Sequence, residues 1–169
     1  MKEPKRWTAS VVAKVAVDAA TTLLARAEKR PPSPRRRGRR SKRALGEAIW
    51  VVRLAAAWVG SEGVVKMPGR TIDSYSRDHK QIRIAEQTIN DRERDLAFTV
   101  GHELGHWVWF EMLGLGHTMS PAPKGHYVVE WFANVFASAL LRRMPWDVEL
   151  DDELGAHSRA IAWAAKEAA

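Results

Sequence analysis

The chain has 169 residues, 46% of them hydrophobic, so it can bury one sizeable core and is expected to form one compact domain with an appendage. It contains no cysteine, which excludes disulfides and thiolate ligands and leaves His and carboxylate side chains as the ordinary ligands for a transition metal. The net charge of +7 is unevenly divided: residues 1–43 carry 14 Lys and Arg against 3 Asp and Glu, a net +11, whereas residues 44–169 carry 13 against 17, a net −4.

The first 43 residues are predicted to be a basic N-terminal helix and a Pro/Arg-rich linker. Residues 8–29 have the pattern of a helix with a thin apolar stripe, which could dock on the domain or on another protein. After Pro31 to Pro34, seven of nine residues are basic: Arg35, Arg36, Arg37, Arg39, Arg40, Lys42 and Arg43. This run predicts a solvated linker. The alternative is non-specific, salt-sensitive contact with nucleic acid, because the run has no aromatic residue that would stack on bases.

Residues 44–169 are predicted to form the domain. Residues 44–60 have the pattern of an almost wholly apolar helix, and residues 64–67, 71–75 and 81–85 are predicted strands of a small antiparallel sheet. The last strand leads into the next helix after a short turn, so its edge is expected beside that helix, where an extended peptide could pair with it. No segment has the uninterrupted apolar length of a membrane span or a signal peptide, so a cytoplasmic location is expected.

The next helix carries the sequence HELGH at residues 102–106, an HExxH motif. Asn90 followed by Glu93 has capping-box spacing, which predicts a helix start near Asn90. An α-helix turns about 100° per residue, so His102 and His106 lie about 40° apart on one face, and both imidazoles can reach one metal ion. Glu103 projects about 100° away from His102, where its carboxylate can contact a water on the metal without binding the metal.

A catalytic zinc takes three protein ligands, so a third is needed. The candidate is Glu130, near the start of a helix predicted over residues 128–143, with Asn134 one turn later and placed to hydrogen-bond a ligand histidine. His126 is the rival ligand, but Pro121 and Gly125 disfavour an early start for this helix. The preceding loop offers His117, His126 and Tyr127 as candidate donors to an oxyanion or contacts to a substrate. A last helix is predicted over residues 156–168.

The pattern Phe98-Thr99-x-x-HELGH, then Glu130-x-x-Ala133-Asn134-x-Phe136-Ala137 and Met144-Pro145, resembles the ImmA/IrrE-type zinc metallopeptidases over roughly residues 80–145. The resemblance implies an α+β fold, a mostly helical, zincin-like domain with a small antiparallel sheet beside the HExxH helix. It also implies one Zn²⁺ per chain bound by His102, His106 and Glu130, with Glu103 as the catalytic base. Gly101 stands where the family usually has Ala.

The family resemblance implies cleavage of a repressor or another DNA-binding regulator, a function often encoded by phages, mobile elements or stress-response operons. The chain is therefore expected to be a cytoplasmic metalloprotease that acts in transcription regulation. The alternative is a non-catalytic zinc protein that binds a regulator, or that binds DNA through the basic arm. The intact Glu103 favours the enzyme, because a purely structural zinc site needs no general base.

Overall fold

The computed structural model describes residues 9–27, 42–60, 63–70, 72–91, 95–115 and 126–142. In chain order its elements are helices α1 (Ala9–Leu24) and α2 (Lys42–Val59), strands β1 (Val64–Met67), β2 (Ser74–Ser76) and β3 (Gln81–Ala85), and helices α3 (Glu86–Asn90), α4 (Leu96–Trp107) and α5 (His126–Leu141). A stretch of π-helix, Val108–Met112, continues α4. The α+β class expected from the sequence, mostly helical with one small sheet, is confirmed.

The three strands form a mixed sheet in the order β1-β3-β2. β3 pairs in parallel with β1 and antiparallel with β2. The expectation of an antiparallel sheet is therefore wrong for β1. The chain leaves β1, crosses to the opposite edge as β2, and turns back through residues 77–80 to enter β3 between them. The expectation that β3 offers a free edge is also wrong, because both of its edges are paired and the edge strands of this sheet are β1 and β2.

The helices build most of the core. α4 packs between α2 and α5, and α1 packs against α5. The largest fully buried side chains include Trp109, Phe132, Phe136 and Leu104, which surround the HExxH helix and its neighbour α5. This burial fixes both helices in rotation, since turning either one would expose large apolar side chains to water.

Helix α1 belongs to the same core. Its buried face consists of Val12, Ala13, Ala16, Val17, Ala19, Ala20 and Leu23. Of the two expectations for this helix, docking on the domain is the one that the structure bears out. The division into residues 1–43 and 44–169 stays a prediction, but a cut after residue 43 would expose the face of α5 that α1 covers.

The HExxH helix begins later than its sequence suggests. Asn90 is the last residue of the short helix α3, and the N-cap of α4 is Asp95, whose Oδ1 accepts a hydrogen bond from the Phe98 N–H at 3.1 Å. The prediction of a start near Asn90 is therefore wrong, because a separate helical turn precedes α4. At the other end the helical path stops just before Gly114, whose φ of +64° favours glycine.

Several sequence predictions lie outside the described residues. They are the linker with Arg35 to Arg40, the loop with His117, and the helix over residues 156–168. Lys42 is exposed in the first turn of α2, and Arg43 follows it in the helix backbone. Among the described helices, none combines the length and the apolar character needed to cross a membrane.

Candidate metal centre

The candidate centre lies where α4 crosses α5, and small residues make this crossing close. A Cβ atom added to Gly105 would lie 2.7 Å from the Ala133 Cα, a distance that real structures do not tolerate. A Cβ added to Gly101 would lie 3.4 Å from the Ala137 Cβ, which is ordinary contact. Gly105 is therefore required for the approach of the two backbones, whereas Gly101 leaves room for a methyl group.

The crossing brings together the three ligands predicted from the sequence. The Nε2 atoms of His102 and His106 lie 3.1 Å apart. Glu130 places its Oε2 3.2 Å from the His102 Nε2 and its Oε1 3.5 Å from the His106 Nε2. These three residues form the group in the described part of the chain that could bind a metal ion, with ligand atoms all within 4.8 Å of one another.

The spacing of these atoms fits a tetrahedral metal. Zinc bonds of about 2.0–2.1 Å in tetrahedral geometry put neighbouring ligand atoms about 3.3 Å apart. The separation of the two Nε2 atoms, 3.1 Å, is close to that value, and the two Glu130 oxygens lie 3.2 Å from one Nε2 and 3.5 Å from the other. Two imidazole nitrogens and one carboxylate are also a donor set that zinc accepts in catalytic sites, with the fourth position open. The residues present therefore fit a divalent metal of this type.

Asn134 orients the first histidine. Its Oδ1 lies 2.9 Å from the His102 Nδ1, and because an amide oxygen only accepts, Nδ1 carries the proton. In the neutral ring that a metal binds, the His102 Nε2 would then offer its lone pair to the centre. One turn further along α5, the Ser138 hydroxyl donates to the Asn134 carbonyl at 2.7 Å, and Ser138 is fully buried. The role predicted for Asn134 from its spacing agrees with this contact.

The two histidines have opposite pKa shifts. Burial lowers the pKa of His102, but the hydrogen bond that its ring donates to Glu130 and the negative charge of Glu103 outweigh burial, and the net pKa is raised. Burial and the neighbouring charge of His102 lower the pKa of His106 to about 4. At neutral pH the His106 ring is therefore neutral. One proton at most lies between the two Nε2 atoms, a position that a metal ion could take instead.

Glu103 lies on the adjoining face of α4, where it is only 5% exposed. Burial raises its pKa to about 7, with Glu130 and Asp73 adding to the rise against the charge of His102. The backbone of Tyr75 hydrogen-bonds to the carboxylate, and the second oxygen, Oε2, has no hydrogen-bond partner among the described residues. A carboxylate with a pKa near neutrality and one uncommitted oxygen is suited to accept and return a proton at neutral pH.

Two residues near Glu103 were missed by the sequence analysis. Asp73, just before β2, accepts hydrogen bonds from the Ala85 N–H at 2.7 Å and from the Thr88 hydroxyl at 2.8 Å. Tyr75 lies in β2 and contacts Glu103 through its backbone. These contacts join positions 12 to 28 residues apart, so no local spacing in the sequence indicates them.

The Tyr75 side chain connects β2 to the π-helical segment. Burial, followed by the negative charge of Glu111, raises the pKa of Tyr75 to about 12, so its hydroxyl stays protonated. Glu111 itself lies 4.0 Å from the Lys80 ammonium, and Arg77 lies over the ring of Phe110, 4.7 Å from its centroid. The turn between β2 and β3 is therefore held against the π-helix, which continues the metal-binding helix.

The remaining predicted site residues are not placed. His117 lies outside the described residues. His126 and Tyr127 occupy the first turn of α5, but their side chains are outside the described part of the chain. α5 begins at His126, so the helix extends only one turn before Glu130, and the roles suggested for these three residues stay predictions.

Searches against protein-family models, curated proteins and solved structures found no match to this chain. The resemblance to the ImmA/IrrE-type metallopeptidases therefore stays a prediction from the motifs.

Proposed function

We propose that this chain is a zinc-dependent endopeptidase that cleaves a specific regulatory protein. The observation that carries the proposal is the convergence of His102, His106 and Glu130 within 4.8 Å, beside a buried Glu103 that has one uncommitted oxygen. A metal site needs only the first three residues. A buried carboxylate next to them costs stability, which favours a catalytic purpose over a structural one.

In this proposal the side chains of the site have different roles. His102, His106 and Glu130 hold one zinc ion, and Asn134 keeps the His102 ring in the tautomer that offers Nε2. Zinc bound there would supply Lewis acidity, polarising a peptide carbonyl and acidifying water. Glu103 takes the proton from the attacking water at Oε2 and returns it to the departing amine. Zinc at the neighbouring ligands would lower the pKa of Glu103 from the value of about 7 that it has in the metal-free chain, which favours the carboxylate form that takes the proton.

The edge of β2 offers a place for an extended peptide. In the described part of the chain β2 pairs with β3 on one side only. Tyr75 faces Ile82 across the antiparallel pair, and the Ile82 N–H donates to the Gly63 carbonyl on the opposite side of β3. The Tyr75 N–H and C=O therefore point to the outer edge, where the N–H meets Glu103. Its carbonyl is left to accept a hydrogen bond from a substrate backbone next to the general base.

The substrate class rests on the motif resemblance, which implies a repressor-like, DNA-binding protein. The test is to incubate the zinc-loaded chain with the regulators encoded beside its gene. We expect discrete fragments with the wild-type chain, and none with Glu103→Gln or after chelation. Zinc bound at one ion per chain without cleavage of any regulator would favour the alternative, a non-catalytic zinc protein that binds its regulator.

The charge of the N-terminal arm supports a second, separate proposal about partners. Residues 35–43 carry seven positive charges, enough for non-specific contacts with nucleic acid phosphates. Such binding weakens steeply with salt. Substituting the seven basic residues with Gln leaves α1 in place and should abolish salt-dependent binding to arbitrary duplex DNA. Unchanged binding would show that the run is only a linker.

A further inference from the structure

The Asp73 side chain holds the start of β2 by hydrogen bonds. Asp73 uses both carboxylate oxygens: Oδ1 accepts from the Ala85 N–H at 2.7 Å and Oδ2 from the Thr88 hydroxyl at 2.8 Å. Ala85 ends β3, and Thr88 is a fully buried residue of α3. Ala85 is the N-cap residue of α3, and its side chain makes no capping hydrogen bond to that helix. Asp73 therefore ties the segment entering β2 to the corner between β3 and α3, across 12 to 15 residues of chain.

Asp73 lies two residues before Tyr75, the residue whose N–H contacts the general base Glu103. β2 has only three residues, so its position depends strongly on what holds its ends. The far end is held by the turn over residues 77–80, and the near end by Asp73. Tyr75 lies between the two ends, with its N–H on Glu103. A shift at Asp73 would therefore move the amide that determines where the Glu103 carboxylate points.

We propose that Asp73 is a positioning residue for Glu103, acting through the Tyr75 amide. By locking the start of β2 it holds the Tyr75 N–H on one carboxylate oxygen, which leaves Oε2 without a hydrogen-bond partner among the described residues and available for the proton. The proposal rests on the proposed function for its catalytic consequence. The proposal that the contact between Tyr75 and Glu103 depends on Asp73 does not require that the chain hydrolyses a substrate.

The choice of variants separates hydrogen bonding from charge. Asp73→Ala removes both acceptors. Asp73→Asn keeps an oxygen for the Ala85 N–H and offers an amide N–H to the Thr88 hydroxyl, so the tie is preserved without the charge. Thr88→Val removes only the second bond at nearly constant volume. Asp78→Ala, an exposed aspartate in the turn after β2, is the matched control.

The first readout is hydrogen exchange of the Tyr75 amide in the metal-free, full-length chain, with the Leu104 amide of the buried helix as internal reference. In Asp73→Ala we expect Tyr75 exchange to rise at least about tenfold relative to Leu104, since a hydrogen bond to a charged group is lost. Thr88→Val should raise it less, and Asp73→Asn and Asp78→Ala should leave it unchanged. Equal acceleration of both amides, or no change at Tyr75, would overturn the proposal.

The second readout uses the zinc-loaded chain and the regulator that it cleaves. Asp73→Ala should lower kcat about tenfold with KM and zinc affinity unchanged, because the two hydrogen bonds that define the tie go to β3 and α3 rather than to the helices that carry the metal ligands, and Asp73→Asn should restore kcat. A loss of zinc affinity, or an Asn variant as impaired as Ala, would overturn the positioning role. If Asp73→Ala does not fold, Thr88→Val decides both readouts. If the wild-type chain shows no hydrolysis, the proposed function is wrong. The exchange data would still decide whether Asp73 holds the Tyr75 N–H on Glu103.

Discussion

The candidate site has two sides, and they are built differently. The ligand side consists of helix α4 against helix α5, with His102, His106 and Glu130 meeting across a close glycine crossing. The base side consists of the same helix α4 against strand β2, where Glu103 meets a backbone amide. Glu130 has a side chain that is 48% exposed, whereas Glu103 is only 5% exposed. The crossing of α4 and α5 thus presents an accessible carboxylate on α5 for binding a cation and a buried carboxylate on α4 for moving a proton.

The difference shows how two neighbouring helices can supply these two functions from different surroundings. Glu130 is half exposed, so a cation can reach its carboxylate from solvent. Glu103 is desolvated, which raises its pKa and prepares it to take a proton. Glu130 projects from α5 and Glu103 from α4 beside β2, which places the two carboxylates in these different surroundings. Each prediction below perturbs one side of the site.

The largest effect is expected from Glu130→Ala, which breaks the ligand side alone. It should abolish zinc-dependent hydrolysis and weaken zinc binding at least ~10-fold, since losing even a residue that supports a ligand costs that much. Competition with a zinc-binding dye measures the affinity. His126→Ala, one turn earlier on α5, is the matched variant and should keep the zinc. The reverse pattern would make this a three-histidine site and remove the main support for the family assignment.

The base side is tested by the pH dependence of stability. The pKa of Glu103 rises from 4.5 to about 7 on folding, so the folded chain binds its proton more tightly than the unfolded chain does. This stabilisation is complete below pH 4.5 and is lost as the pH rises through 7, by at most about 3 kcal/mol. Glu103→Gln cannot ionise. Its advantage in free energy of unfolding over the wild-type chain should therefore grow between pH 5 and pH 8.

Urea unfolding of the metal-free proteins in the presence of a chelator measures this difference, because a bound cation would lower the pKa of Glu103. Asp78→Asn, at an exposed carboxylate, is the control for removing one negative charge. A difference between Glu103→Gln and wild type that is constant with pH would contradict the raised pKa.

The glycine crossing is tested by a pair of alanine substitutions on α4. Gly105→Ala puts a Cβ 2.7 Å from the Ala133 Cα, a backbone atom that no side-chain rotation can move, so α4 and α5 must separate. We expect a loss of about 1–3 kcal/mol in stability together with weaker zinc binding. Gly101→Ala meets Ala137 at 3.4 Å and gains helix propensity, so its stability should change by less than about 1 kcal/mol. Equal behaviour of the two variants in thermal unfolding and zinc titration would contradict the described crossing.

The smallest effect is expected from Asn134→Ala, which loosens the ligand side without removing a ligand. Losing the acceptor for the His102 Nδ1–H frees the ring to rotate and to change tautomer, so zinc affinity should fall about 10-fold. Asn134→Asp keeps an acceptor at the same position and should retain the affinity. If Ala and Asp bind zinc equally well, the hydrogen bond at 2.9 Å does not orient the ligand.

The contrast between the two sides also explains what the sequence could predict. The ligands on α4 follow from helical periodicity, which is local, and Asn134 follows from its spacing to Glu130 on one helix face. The base side depends on β2, whose pairing in a mixed sheet and whose contact with Glu103 join distant segments. Asp73 has no local pattern that marks it. The prediction of where α4 starts is also wrong. Asn90 and Asp95 are both suitable N-cap residues, and only the fold decides between them.

The central claim is that one metal ion binds where His102, His106 and Glu130 converge. The most direct test is a crystal structure of the zinc-loaded chain with anomalous diffraction recorded on both sides of the zinc absorption edge. The account predicts one anomalous peak per chain, within bonding distance of both Nε2 atoms and of the Glu130 carboxylate, with the Glu103 carboxylate nearby but not bound to the metal. No peak between these residues, or a peak that Glu130 does not reach, would contradict it.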